Sequence, residues 1–89
     1  MNYIEKARAA LAKKIDVESD LLDLYTLLVF VTGSNTELEH VHDAWAIWRN
    51  RTSPSHKSLI PFSDLQEESQ ELDRKFAEAI QETAQEIAA

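Results

Sequence analysis

The chain has 89 residues, no cysteine and a formal net charge of −7. This length suits one domain (1–89), and the lack of cysteine excludes a disulfide framework, a thiolate zinc site and a thiol nucleophile. The negative charge repels a phosphate backbone and therefore disfavours binding to DNA or RNA.

The first predicted element is a helix that follows Asn2. With one glycine and two prolines in the chain, the apolar spacing is helical nearly throughout. The Asn2 side chain can cap this helix, and its apolar residues recur at helical spacing on one stripe. The stripe consists of Ile4, Ala7, Leu11 and Ile15.

A second helix is predicted to open at Ser19 or Asp20 and to end at Gly33 in the left-handed conformation. Nine of the eleven residues from Leu21 to Val31 are apolar. A helix that is apolar on every side is buried on every side, so it is either the central helix or meets another subunit. We expect a homo-oligomer, a dimer or larger, through this helix. Its end, LLVFV, could also form a strand, but no partner strand is visible.

A third helix is predicted to begin at a capping box, with Thr36 as the N-cap and Glu39 three residues on. Ile47 lies on the side opposite its apolar face and suggests a second contact surface. The apolar face consists of Leu38, Val41, Trp45 and Trp48.

Pro54 and Pro61 predict an extended loop after the third helix. Ser63, with Gln66 in the capping-box position, opens the last segment, whose helix is expected to restart near Glu67. The last stripe consists of Leu72, Phe76, Ala79, Ile80, Thr83 and Ile87. The predicted fold is all-α, a small bundle of about four helices with a proline-containing loop before the last helix.

The loop region is basic within an acidic chain. Residues 44–63 carry three basic side chains, no acidic one and both tryptophans. An indole face beside guanidinium groups could hold a base and a phosphate. Alternatively, Trp48 is a core residue and the cations merely neutralise the acidic helices. The candidate ligand-binding residues are Trp48, Arg49, Arg51, His56, Lys57 and Ser58.

Catalytic chemistry is not indicated. His40 and His42 are two residues apart, whereas a zinc pair on a helix needs a spacing of three or four. His42 and His56 could bind one zinc ion together across the fold. We favour the alternative that both histidines make hydrogen bonds that fix the loop against the third helix. No nucleophile elbow or glycine-rich phosphate loop occurs. We therefore expect no enzyme activity, no metal and no cofactor.

The string Glu39-x-Val41-His42-Asp43-x-Trp45-Ala46, followed by His56-x-Ser58-Leu59-Ile60-x-Phe62-x-x-Leu65, resembles the ryanodine-receptor repeat, or RyR domain. It is also similar to small proteins of actinobacteria and their phages. The resemblance covers about residues 38–80. The family usually has proline at position 57, where this chain has lysine, and a longer insertion between the two halves.

The resemblance implies a small regulatory module without catalytic residues, for which adenine nucleotides are plausible ligands. It also implies structural roles: Trp45 as an anchor, and His42 and His56 as the link between the two halves. The residues that it implies pack the chain back onto the bundle are Leu59, Phe62 and Leu65.

The sequence as a whole predicts a non-enzymatic binding module for a small anionic, nucleotide-type ligand. Sequestration of a signalling nucleotide by a phage protein is one such role. The alternative is a protein–protein interaction module or structural oligomer without a small-molecule ligand. The first residues lack the apolar core of a signal peptide, and Leu21–Val31 is too short to cross a bilayer. We expect a cytoplasmic location, in the host cytoplasm if a phage encodes the protein, and no membrane partner.

Overall fold

The computed structural model describes residues 1–88, which form five α-helices and two short 3-10 turns without a β-strand. The prediction of a small all-α bundle is confirmed, with four longer helices and one short one. The helices are α1 Tyr3–Ala12, α2 Ser19–Val31, α3 Leu38–Asn50, α4 Glu67–Glu71 and α5 Arg74–Ala88, and the 3-10 turns are Gly33–Asn35 and Phe62–Asp64.

Helix α1 begins with the predicted cap. The Glu5 backbone amide donates to the Asn2 side-chain oxygen at 2.8 Å, and the Asn2 backbone amide donates to the Glu5 carboxylate at 3.1 Å. Ala7 and Leu11 are fully buried, but Ile4 is 41% exposed. The buried stripe therefore begins one turn later than predicted.

Helix α2 is the centre of the bundle and packs against α1, α3 and α5. The polar Thr26 is buried on it, and its hydroxyl is satisfied because it donates to the Leu22 carbonyl oxygen at 2.8 Å. One side of α2 stays open, where Leu27, Phe30 and Val31 are exposed. Within residues 1–88, no helix combines the length and the apolarity that crossing a membrane requires.

The connection from α2 to α3 differs from the predicted capping box. Gly33 has φ of +55°, as predicted. However, Glu37, not Thr36, precedes α3, and its amide donates to His40 Nδ1 at 2.9 Å. The Thr36 hydroxyl turns back toward the preceding turn, where it donates to the Gly33 carbonyl oxygen at 2.7 Å, and Glu37 occupies the N-cap position of α3. Gln81 of α5 donates to the Thr36 carbonyl oxygen at 2.6 Å, so the turn is held against the last helix.

The last helical segment is broken into two helices. Helix α4 begins at Glu67, as predicted, and ends after five residues. The chain turns at Leu72 and Asp73 before α5, and Leu72 is 70% exposed instead of belonging to the buried stripe. Because of this turn, Asp73 lies between two helices instead of within one, and it lines the site described next.

Candidate ligand-binding cleft

A cleft of about 770 Å³ opens among α2, α3, the loop after α3, and the α4–α5 turn. Its volume lies in the range of small-molecule sites, roughly 300–1,000 Å³. Six rings line it, and helical spacing explains three of them, since His42, Trp45 and Trp48 follow one another every three residues on α3. The six rings belong to Tyr25, His42, Trp45, Trp48, His56 and Phe76.

Trp45 is the centre of this aromatic wall. It is partly buried and packs against the hydrophobic core while it also lines the cleft. The His42 ring stacks on it at a centroid distance of 5.7 Å, and the His56 ring meets it edge-on at 5.2 Å. Trp45 therefore joins the core, α3 and the loop, which agrees with an anchoring role.

The loop is attached to α3 through His42. Its Nε2 lies 2.7 Å from the Ile60 carbonyl oxygen, and the side chain is almost fully buried. Because a carbonyl only accepts, Nε2 carries the proton in this bond. His56 is exposed, and its Nδ1 accepts from the Ser58 amide at 3.0 Å. His42 thus fixes the loop by a hydrogen bond, whereas the His56 ring meets α3 at Trp45.

Arg49 brings a positive charge to the cleft. Its guanidinium carbon lies 4.6 Å from the Trp48 ring centroid and 6.0 Å from that of Trp45. Both stacking distances are within the range of cation–π interactions. Its Nε is buried and has no hydrogen-bond partner among residues 1–88. A buried donor without an acceptor is costly. This Nε has no accessible surface, so an incoming anion would meet the guanidinium at its terminal nitrogens, which make no salt bridge within residues 1–88.

Tyr25 and Asp73 bring two more polar groups to the cleft. Burial raises the pKa of the Asp73 carboxyl from 3.8 to about 6, although the nearby His42 opposes the shift. Burial, reinforced by the charge of Asp73, raises the pKa of the Tyr25 hydroxyl well above its ordinary value. Within residues 1–88 neither side chain has a hydrogen-bond partner.

The sequence missed both residues for understandable reasons. Tyr25 lies within the apolar run from Leu21 to Val31, and its burial, at 1% exposed, agrees with that pattern. Asp73 lies inside the last predicted helix, where no motif of the sequence distinguishes it from the other carboxylates. The signal in the sequence was an aspartate between the apolar Leu72 and Phe76. It indicates a position in the cleft only once the helix is known to break before α5.

Four of the six candidate ligand-binding residues line the cleft and two do not. Trp48, Arg49, His56 and Ser58 belong to its wall. Arg51 lies in a smaller depression, which Trp48 and Arg49 also line, and its guanidinium is 3.6 Å from the Asp20 carboxylate. Lys57 is exposed and is not part of the cleft wall. For Arg51, this ion pair matches the interpretation of the basic loop as charge compensation.

The three apolar residues that the RyR resemblance placed after His56 occupy different surroundings. Leu65 lines the cleft. The Phe62 ring lies 6.1 Å from the His42 ring, so it packs where the end of the loop meets α3. Leu59 faces a separate depression on the other side of His42.

Ionisable groups are mixed in the cleft. Asp16 and Glu18, from the α1–α2 connection, join Asp73 as carboxylates of its wall, and Arg49 is its arginine. Among residues 1–88, no cluster of three or more histidine, cysteine, aspartate or glutamate side chains is placed to hold a metal ion.

The fold and the cleft together define a small all-α domain with an aromatic-lined cavity. The chain belongs to the family described as domain of unknown function DUF7701, because the family model matches residues 1–85, which include every residue of the cleft. No curated protein and no solved structure gave a significant match to the chain.

Proposed function

We propose that this protein is a non-enzymatic binding module whose aromatic cleft takes a nucleotide-type ligand of low negative charge. The observation that carries the proposal is the guanidinium of Arg49, which lies against two indole rings in the cleft wall and makes no salt bridge within residues 1–88. A phosphate is the natural acceptor for such a group.

The aromatic wall supports a planar ring as the second part of the ligand. A base that stacks on an aromatic side chain gains about 1–3 kcal/mol. Trp48 and Trp45 offer indoles for such contact, and Tyr25 and Phe76, whose ring centroids are 5.5 Å apart, form another part of the wall. A cleft of about 770 Å³ has room for a mononucleotide.

The charges of the cleft limit the phosphate number. Asp16, Glu18 and Asp73 would repel a highly charged ligand, whereas Arg49 can compensate one phosphate. We therefore expect the ligand to be a nucleoside monophosphate or a cyclic mononucleotide, in preference to a triphosphate. Its phosphate would contact Arg49, not the basic loop as a whole.

Calorimetric titration with cyclic and 5′-monophosphates of guanosine and adenosine, and with ATP, tests the proposal. We expect the monophosphates to bind more tightly than millimolar and ATP to bind more weakly. Arg49→Lys keeps the charge but loses the planar fork, so it should weaken binding about tenfold. The matched control is Arg51→Lys, which lies outside the cleft and should leave affinity unchanged. Trp48→Ala should weaken binding further.

Two results would contradict the proposal. One is the lack of binding of every nucleotide up to millimolar concentration. The other is equal weakening by the Arg49 and Arg51 substitutions, because a diffuse charge effect would then explain binding without the cleft. In either case the alternative of a protein-docking module gains weight.

The biological setting in this proposal is regulation or sequestration of a signalling nucleotide in the cytoplasm, in line with the RyR resemblance.

We further propose that the open side of α2 mediates self-association. Leu27, Phe30 and Val31 are exposed there, and the exposed Tyr3 packs edge-on against Phe30 at 5.3 Å. Clustered apolar residues of this kind often mark interfaces. Light scattering at micromolar concentration should give a dimer or larger. Leu27→Glu, at a position that is 55% exposed, should yield a folded monomer. A wild-type monomer would refute this.

A further inference from the structure

Two polar groups of the cleft remain without partners once the phosphate and the stacking surfaces have been assigned. Tyr25 is 1% exposed, and both it and the half-buried Asp73 line the cleft. Neither has a hydrogen-bond partner within residues 1–88. Neither the Tyr25 hydroxyl nor the Asp73 carboxylate is a sealed, unpaired atom of the kind that the Nε of Arg49 is within residues 1–88. Their polar atoms reach the cleft, so both groups are open to hydrogen bonds with a ligand there.

We propose that Asp73 selects the ring of the ligand and that this ring is a guanine-type base, whose N1–H and 2-amino group donate to the Asp73 carboxylate. This inference rests on the proposed nucleotide function and adds the identity of the base. It assigns Asp73 to specificity and leaves Arg49 and Trp48 with the phosphate and the stacking contact.

The hydrogen-bonding pattern of a carboxylate is the reason for this choice of base. An ionised carboxyl only accepts, and its two oxygens suit two adjacent donors. Guanine offers two adjacent donors on its Watson–Crick edge, whereas adenine offers one donor beside an acceptor. Since the pKa of Asp73 is about 6, its carboxyl is ionised near neutral pH and has no proton for the acceptor of adenine.

Desolvation turns this difference in pattern into selectivity. A buried polar group that the ligand leaves unpaired lowers affinity much more than a missing apolar contact does. Asp73 has already lost part of its hydration, as its raised pKa shows. Tyr25, whose hydroxyl can donate or accept, can complete the hydrogen bonds of either base and therefore does not decide between them.

The experiment compares a series of ligands on the unaltered protein first, so it does not depend on the folding of a variant. Titrations near neutral pH use the 5′-monophosphates of guanosine, inosine and adenosine. The guanine nucleotide should bind at least about tenfold more tightly than the adenine nucleotide. Inosine monophosphate, which lacks the 2-amino group but keeps N1–H, should lie between them.

The variant Asp73→Asn then tests the residue itself. Its carboxamide presents one acceptor and one donor, so it should weaken guanosine monophosphate about tenfold or more. The same change should raise the affinity for xanthosine monophosphate relative to guanosine monophosphate, because xanthine carries a 2-oxo acceptor in place of the amino donor. Asp64→Asn, at an exposed position outside the cleft, is the control and should change neither value. Circular dichroism of both variants checks that they are folded.

The outcomes separate this inference from the proposed function. Equal affinity for guanosine and adenosine monophosphates, with binding still dependent on Arg49, would overturn the role of Asp73 and leave the nucleotide module standing. An unchanged preference in Asp73→Asn would have the same meaning. Failure of every nucleotide to bind would overturn both.

Discussion

The partly buried carboxyl of Asp73 should make the ligand-free protein less stable at neutral pH than it would be with a neutral side chain. We therefore expect Asp73→Asn, which keeps the shape and removes the charge, to stabilise the protein at about pH 8. A raised stability at the expense of ligand selection is typical of residues kept for binding.

The size of the effect follows from the pKa of Asp73, which folding raises from 3.8 to about 6. In full, this shift corresponds to an upper bound of about 3 kcal/mol. Asp73 is only half-buried, so solvent screening reduces the expected gain in the free energy of unfolding to about 1 kcal/mol. The direction does not depend on that reduction.

The pH dependence has a definite sign. Between pH 3.8 and about 6, the folded protein binds a proton at Asp73 that the unfolded chain does not bind. The loss of stability caused by the ionised Asp73 carboxyl is therefore fully present above about pH 6 and disappears as the pH falls below 3.8. The difference between variant and wild type should shrink from about 1 kcal/mol at high pH to nearly zero in acid.

Urea unfolding of both proteins at several pH values between about 3.5 and 8 measures this difference directly. Asp64→Asn is the control for removal of an exposed aspartate, and its effect should be small across the range. If Asp73→Asn is destabilising at about pH 8, or if its effect is the same at every pH, then Asp73 is not desolvated and the geometry of the cleft is misread.

Three further substitutions test the scaffold of the cleft by urea or thermal unfolding. Trp45→Ala should destabilise by roughly 3 kcal/mol, because an indole that joins core and loop is lost; an unchanged midpoint would mean that Trp45 is not an anchor. His42→Ala should cost about 1–3 kcal/mol by removing the bond to the Ile60 carbonyl, and it should do little if water replaces the imidazole. Gly33→Ala should cost about 1 kcal/mol, since φ is +55° while Ala84 lies at an ordinary 3.7 Å from the added carbon; a neutral result would show that the turn relaxes.

Local patterns predicted much of the helical framework. Asn2 and Glu5 form their cap within one turn, Gly33 adopts a positive φ, and α4 begins at Glu67. Each of these features depends on residues close together in the chain. The aromatic face of α3 was also visible in advance, because its spacing of three and four residues follows from helix geometry.

The predictions for Thr36 and Leu72 were wrong for structural reasons that differ. Thr36 had the sequence signature of an N-cap, but its hydroxyl bonds backward to Gly33, and α5 holds the turn through Gln81. Leu72 fitted the apolar stripe of a continuous helix, yet the chain turns there and exposes it. At Thr36, the contact with α5, far along the chain, outweighed the capping signature. At Leu72, a turn without proline or glycine interrupted the helical pattern.

By itself, the sequence determined the helical class, the starts of α1, α2 and α4, and four residues of the cleft wall, because composition, capping and periodicity act over a few residues. Only the tertiary structure decided which charges face the cleft. It pairs Arg51 with Asp20, leaves the Nε of Arg49 buried and unpaired, and brings Asp73 beside Tyr25. These are contacts between residues distant in the chain, and their burial and pairing depend on how the helices pack, which no local pattern of the sequence encodes.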